Sequence, residues 1–213
     1  MTSLVDNDIV IKVACYGLVN QLLLPTCETL NAAGVLGAAR FVAAHRILKI
    51  GLNGGPAEAL QHLEALLELV STVEPTSEEQ LMAADFELAA QRAGVNLDAG
   101  ESHLCALVVS RQIPRLLTGD KRAIAAMEVL LDSDERLWYL CGRVFCLEQL
   151  TRRAIERDND GLVRAAICEQ PSVDKALTVC AGCQSATNEA VVVECLDSYL
   201  GDLRRKAARV LST

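Results

Sequence analysis

At 213 residues, with 51% hydrophobic and 23% charged side chains and only five prolines, the chain is long enough for a sizeable core and too apolar for disorder, so all of it is expected to fold. A net charge of −8 excludes a surface built wholly to wrap nucleic acid, which needs clustered lysine and arginine, yet leaves room for a local basic rim drawn from Arg111, Arg115, Lys121, Arg122, Arg152 and Arg153. The first twenty residues carry no basic stretch ahead of an apolar core, and no run approaches the ~18 apolar residues of a membrane span, so a cytoplasmic protein without membrane segments is expected.

Taken in chain order, Thr2 to Val5 reads as a short buried strand, Asp6-Asn7-Asp8 as a polar turn, and the apolar pattern from Ile9 onward as a helix closed at Pro25. Thr26 to Ala33 suggests another short helix ended by Gly34, and Val35 to Ile50 is ambiguous between strand and helix. Leu60, Leu63, Leu66, Leu67 and Val70 lie at helical spacing after Pro56, which predicts a helix from about Pro56 to Val70. Ser71 to Glu74 follows as an extended link. Thr76 with Glu79 three residues on is a capping-box pattern for a helix ended by Gly94, and Asp98 opens a further helix carrying Glu101.

Ile113 to Thr118 reads as a buried strand whose carboxyl end meets Gly119, Asp120 and a helix from about Lys121 to Leu131. Gly142 to Leu147 is the last expected strand. Beyond Glu148 the pattern is helical, broken near Asp158 to Gly161, Pro171 and Gly182, and the final helix carries Leu196, Leu200 and Leu203 beside Arg204 and Arg205. Strands separated by helices imply a parallel sheet with both faces covered. Of the nine cysteines, most sit in apolar helical patterns and read as buried free thiols; Cys168, Cys180, Cys183 and Cys195 also admit a zinc reading, although their spacing is not that of a standard zinc module.

Ligands of open parallel sheets gather at the carboxyl ends of strands, where this sequence puts Asp6, Asp8, Asp120 and Glu148, with Glu101 joining from the start of a helix. Carboxylates that converge in one crevice repel one another unless protons or a divalent cation neutralise them, so such a group points to metal. Each also has a simpler use: Asp6 and Asp8 as caps of the first helix, Asp98 and Glu101 as a capping box, Asp120 as a cap after Gly119.

Together, Leu4-Val5-Asp6-Asn7-Asp8, Gly100-Glu101-Ser102-His103 and Leu116-Leu117-Thr118-Gly119-Asp120-Lys121-Arg122 resemble the PIN-domain family over about residues 1–147. The resemblance implies a three-layer α/β/α domain over 1–147 and a helical extension over 148–213. It implies a ribonuclease using Mg²⁺ or Mn²⁺, with Asp6, Glu101 and Asp120 as catalytic metal ligands joined by Asp8, and with Thr118, Lys12, Lys121 and Arg122 toward RNA. The further carboxylate usual in that family is not placed: segment 35–46 offers Arg40 and His45 instead, while Glu28, Glu58 and Glu64 sit in no convincing motif.

Two alternatives stay open. One is a catalytically degenerate PIN-like scaffold that binds a protein partner, or a second copy, through its C-terminal helices. The other is a haloacid-dehalogenase-like phosphatase, to whose nucleophile loop Asp6-Asn7-Asp8 is similar; against it, no lysine occurs between Lys49 and Lys121 and no second Asp follows Asp120.

Overall fold

A computed structural model of the protein describes residues 1–158, 160–184 and 187–213. The strands β1 (Ser3–Val5), β2 (Ala33–Leu36), β3 (Ser71–Val73), β4 (Arg115–Thr118) and β5 (Val144–Cys146) form one fully parallel sheet in the order β3-β2-β1-β4-β5. Parallel neighbours need long crossovers, and helices supply them. These are α1 (Asn7–Tyr16), α2 (Val19–Cys27), α3 (Ala39–Ile47), α4 (Ala57–Leu69), α5 (Ser77–Ala93), α6 (Ala99–Ser110) and α7 (Lys121–Leu130), followed by α8 (Leu147–Ile155), α9 (Leu162–Glu169), α10 (Lys175–Cys180) and α11 (Glu189–Lys206).

Side chains alternate across a strand, and the alternation divides the core into two halves. Val5, Val35, Leu117 and Phe145 face the layer of α1 to α4 and α8 to α10. Leu4, Val73, Leu116, Val144 and Cys146 face α5, α6 and α7. The expected three-layer α/β/α architecture is therefore present. Helix α11 spans both halves, burying Val192 and Leu196 in the first and Leu200 and Leu203 in the second. The tail after it runs along β5: Val144 donates to the Val210 carbonyl at 3.1 Å and Ser212 to the Val144 carbonyl at 2.8 Å. Residues 148–213 thus share both halves of the core with residues 1–147, and α8 itself starts at Leu147.

Several local expectations need correction. Gly17, not Pro25, ends the first helix, because its left-handed φ of 66° lets its N–H reach back to the last carbonyls of α1. Pro25 lies inside α2, two residues before that helix stops. No separate α-helix runs from Thr26 to Ala33; Thr26 and Cys27 end α2, Leu30–Ala32 makes a single 3-10 turn, and Ala33 already belongs to β2. Gly34 is a strand residue rather than a helix stop, and a Cβ there would fall 2.2 Å from Met1 Sδ and 3.0 Å from Val73 Cγ2. The ambiguous stretch after it resolves into the end of β2 and α3.

The free-thiol expectation fails at Cys168 and Cys183, which form a disulfide. A bonded pair of sulfurs supplies no thiolates, so the four-cysteine zinc reading falls with it. Among the described residues no helix is long and apolar enough to cross a membrane.

Candidate functional site

The strand order reverses direction at β1, whose neighbours are β2 on one side and β4 on the other, and a crevice opens beyond the carboxyl ends of β1 and β4. Its volume is about 580 Å³, and Asp6, Asp8, Lys12, Arg46, Asp98, Glu101, Gly119, Asp120, Lys121 and Arg122 are among the residues that line it. Asp6, Asp8, Glu101 and Asp120 thus meet in one crevice as expected from the sequence, whereas Glu148, the other strand-end acid, does not line it.

Asp6 follows β1 directly, and its backbone N–H donates to the Leu117 carbonyl at 2.9 Å, which carries the β1–β4 pairing one residue beyond the strand. It occupies the N-cap position of α1 but makes no side-chain capping bond. Its carboxylate instead accepts from the Thr118 hydroxyl at 2.9 Å. Thr118, 1% exposed, in turn accepts from the Asp120 N–H at 3.2 Å, so it links two acids from below. Contact between Thr118 and a substrate falls away, since the hydroxyl is buried under the cluster. Burial pushes the Asp6 carboxyl up to about 6 against the lowering effect of the Thr118 bond, with the negative charges of Asp8 and Asp98 adding to the rise.

Glu101 arrives from the first turn of α6. Its capping box with Asp98 is complete, with Asp98 N–H donating to Glu101 Oε2 at 2.8 Å and Glu101 N–H to Asp98 Oδ1 at 2.9 Å. The simpler use and the chemical one therefore coexist at this residue. Burial lifts the Glu101 carboxyl to about 7, the Asp98 N–H opposes this, and the charges of Asp98, Asp120 and Asp6 reinforce it.

Asp120 caps α7 by accepting from the backbones of Arg122 at 2.7 Å and Ala123 at 3.3 Å, and it pairs with the Arg122 guanidinium at 2.9 Å. Burial alone would raise its carboxyl, but these Arg122 and Ala123 bonds hold it below the ordinary aspartate range.

The cations of the rim are also engaged. Lys12 Nζ lies 2.6 Å from Asp8 and 2.8 Å from Asp174, a residue of the turn between α9 and α10 that sequence inspection did not connect with the site. Burial works against the charged form of Lys12, yet the two carboxylates carry it above the ordinary lysine value. Lys121 pairs with the buried Glu148 and stands 5.2 Å from the Tyr199 ring centre. Gly119 is required by the crowding here, since a Cβ would fall 1.9 Å from Asp8 Oδ2. Arg111, Arg115, Arg152 and Arg153 do not line the crevice; the first three pair with Glu79, Glu28 and Asp197, and Arg153 lies over the Phe145 ring.

No family model, curated protein or solved structure matches this chain.

A hard divalent cation takes carboxylate oxygens, and Asp6, Glu101 and Asp120 offer that chemistry at the mouth of two strands. Among the described residues no three His, Cys, Asp or Glu side chains stand together as a ready-made cage. Asp120 is turned to Arg122 and Asp8 to Lys12, whereas Asp6 and Glu101 have no cationic partner among the ion pairs of the described residues. Half-buried Asp6 and buried Glu101, both pushed toward the protonated form and both facing further negative charge, form a donor set that a cation would relieve. From segment 35–46, where the sequence lacks a further carboxylate, Val42 and Arg46 line the crevice.

Proposed function

We propose that the crevice binds Mg²⁺ or Mn²⁺ and hydrolyses phosphodiester bonds, with RNA as substrate, as the resemblance to PIN-domain nucleases implies. The observation that carries this reading is Asp6: a helix-start aspartate that does not cap, is half-buried and held by a threonine hydroxyl, and faces the carboxylates of Asp8 and Asp98. Structural aspartates at this position ordinarily cap, and a buried carboxyl held near further negative charge costs stability unless it serves a ligand.

In this reading Asp6, Glu101 and Asp120 hold the ion, with Asp8 beside them. The ion supplies Lewis acidity and a water of lowered pKa. Thr118 fixes the Asp6 carboxylate and the Asp120 backbone relative to one another. Lys12, Lys121 and Arg122 line the same crevice and offer positive charge to the phosphate, which would share or displace their present carboxylate partners.

The test is cleavage of a labelled single-stranded RNA in Mn²⁺ by the parent and by Glu101→Gln. Glutamine keeps the capping box at the third helical position, so the fold is retained. The expected result is cleavage by the parent that chelation stops, and a loss of at least about 100-fold in the variant. Equal rates in the two proteins would overturn the assignment.

A second reading, the non-catalytic scaffold, is favoured by a specific observation: Asp8, Asp120 and Glu148 are each neutralised by a cation of the chain itself. Exposed Val179, Val191 and Tyr199 on or beside the C-terminal helices are then the surface for a protein partner or a second copy. A parent that folds, binds no divalent ion and cleaves no RNA supports that reading.

A further inference from the structure

The four cysteines of the C-terminal segment are brought together pairwise. Cys168 on α9 is bonded to Cys183, just beyond α10. Cys180, the last residue of α10, points its sulfur at Cys195 on α11, Sγ to Sγ 2.6 Å. Two unbonded sulfurs do not rest in ordinary contact at that separation, and the same short stretch of chain already holds one bridge. We propose that Cys180 and Cys195 are the site of a second disulfide, so that α9, α10 and α11 are closed by two crossed bridges, 168 to 183 and 180 to 195.

The bridges close around a segment that reaches the candidate site. Asp174 lies between Cys168 and Cys180, caps α10 by accepting from Leu177 N–H at 2.9 Å, and pairs with Lys12 in the crevice. Covalent closure of the three helices holds this turn against α1. Closing each loop removes freedom from the unfolded chain, which is the usual route by which a bridge stabilises.

The chemistry balances with a small disulfide such as oxidised glutathione as the oxidant. Cys195, the less buried of the two, attacks one glutathione sulfur as a thiolate, forming a mixed disulfide and releasing one glutathione thiol. Cys180 then loses its proton to solvent and its sulfur displaces the second glutathione from Cys195. Two protein thiols lose two electrons in total, and one glutathione disulfide becomes two thiols. Burial disfavours the Cys180 thiolate, which assigns the first attack to Cys195.

The experiment is thiol mapping of the full-length protein after treatment with oxidised glutathione, by alkylation in denaturant without reductant and mass spectrometry of the peptides. The expected result is labelling at Cys15, Cys27, Cys105, Cys141 and Cys146 alone. Labelling of Cys180 and Cys195 overturns the proposal. A Cys168→Ser, Cys183→Ser double variant removes the existing bridge and any exchange with it; there, oxidation should still hide Cys180 and Cys195 from the reagent. Full labelling of both in the oxidised double variant overturns the proposal, as does fragmentation of the parent's linked peptides that joins Cys180 to Cys183.

Discussion

Replacing Asp6 by asparagine is expected to make the metal-free protein more stable at pH 7.5, by about 1–2 kcal/mol, while removing its response to Mn²⁺. The Asp6 carboxyl sits near 3.8 in an unfolded chain and is raised to about 6 in the fold. The folded state therefore holds its proton more tightly. Stability from this group is full below the unfolded value and is lost as pH rises from about 4 through 6. Glu101, raised from 4.5 to about 7, extends the loss toward neutrality.

Asparagine keeps an oxygen for the Thr118 hydroxyl and carries no charge, so it escapes the penalty. A rise from 3.8 to about 6 would alone correspond to about 3 kcal/mol, reduced here because Asp6 keeps some exposure to solvent. Thermal melts at pH 4 and 7.5 provide the check. Parent and variant should coincide near pH 4 and separate at 7.5, and saturating Mn²⁺ should raise the parent alone. A variant less stable than the parent at pH 7.5 in chelator would show that Asp6 is a structural anion.

The second large effect lies outside the crevice. Removing the Arg111 guanidinium, as in Arg111→Met, is expected to destabilise the fold by about 2–3 kcal/mol at pH 7. Glu79 is 3% exposed and receives Arg111 through two bonds of 2.7 Å, with Ser110 Oγ at 3.1 Å and Thr76 N–H at 2.8 Å. The pair joins the start of α5 to the end of α6, whose other end presents Glu101. The variant leaves a buried carboxylate without its cation; the figure sits below that of a fully enclosed pair because the Arg111 side chain is 34% exposed.

The hydrogen bond from Arg111, ahead of the opposing effect of burial, holds Glu79 down at about 2. Its stabilisation is present above the unfolded value of 4.5 and lost as pH falls toward 2. Urea unfolding at a series of pH values should show the gap between parent and variant closing over that range. A constant gap down to pH 2 would mean that methionine acts through packing alone.

How far the sequence was readable follows the distance over which each feature is determined. Capping boxes span four residues, and both Thr76–Glu79 and Asp98–Glu101 form as their spacing predicts. The strands β1, β4 and β5 are legible because each is a short apolar run at the edge of a polar turn. Strand β2 is not: Ala33-Gly34-Val35-Leu36 has little β-forming bulk, and Gly34 reads as a helix stop until the approach of Met1 and Val73 explains it. The acids after β1 and β4 could be named because a strand end followed by a helix start is local. Their convergence depends on β1 and β4 being neighbours, which no local pattern specifies. Asp174 at Lys12, Arg46 in the crevice wall and the pairing of Cys168 with Cys183 are all contacts between segments remote in sequence, and cysteine spacing alone does not determine connectivity.

The most direct measurement is calorimetric titration of Mn²⁺ into the parent and into an Asp6→Asn, Asp120→Asn double variant at pH 7.5, with folding of both verified by melting. Saturable binding by the parent at or below about 1 mM metal, the range of weak oxygen sites, and no binding by the variant is the predicted result. Absence of binding by the parent at millimolar metal, or equal binding by the two proteins, would contradict the assignment of this crevice as a metal centre.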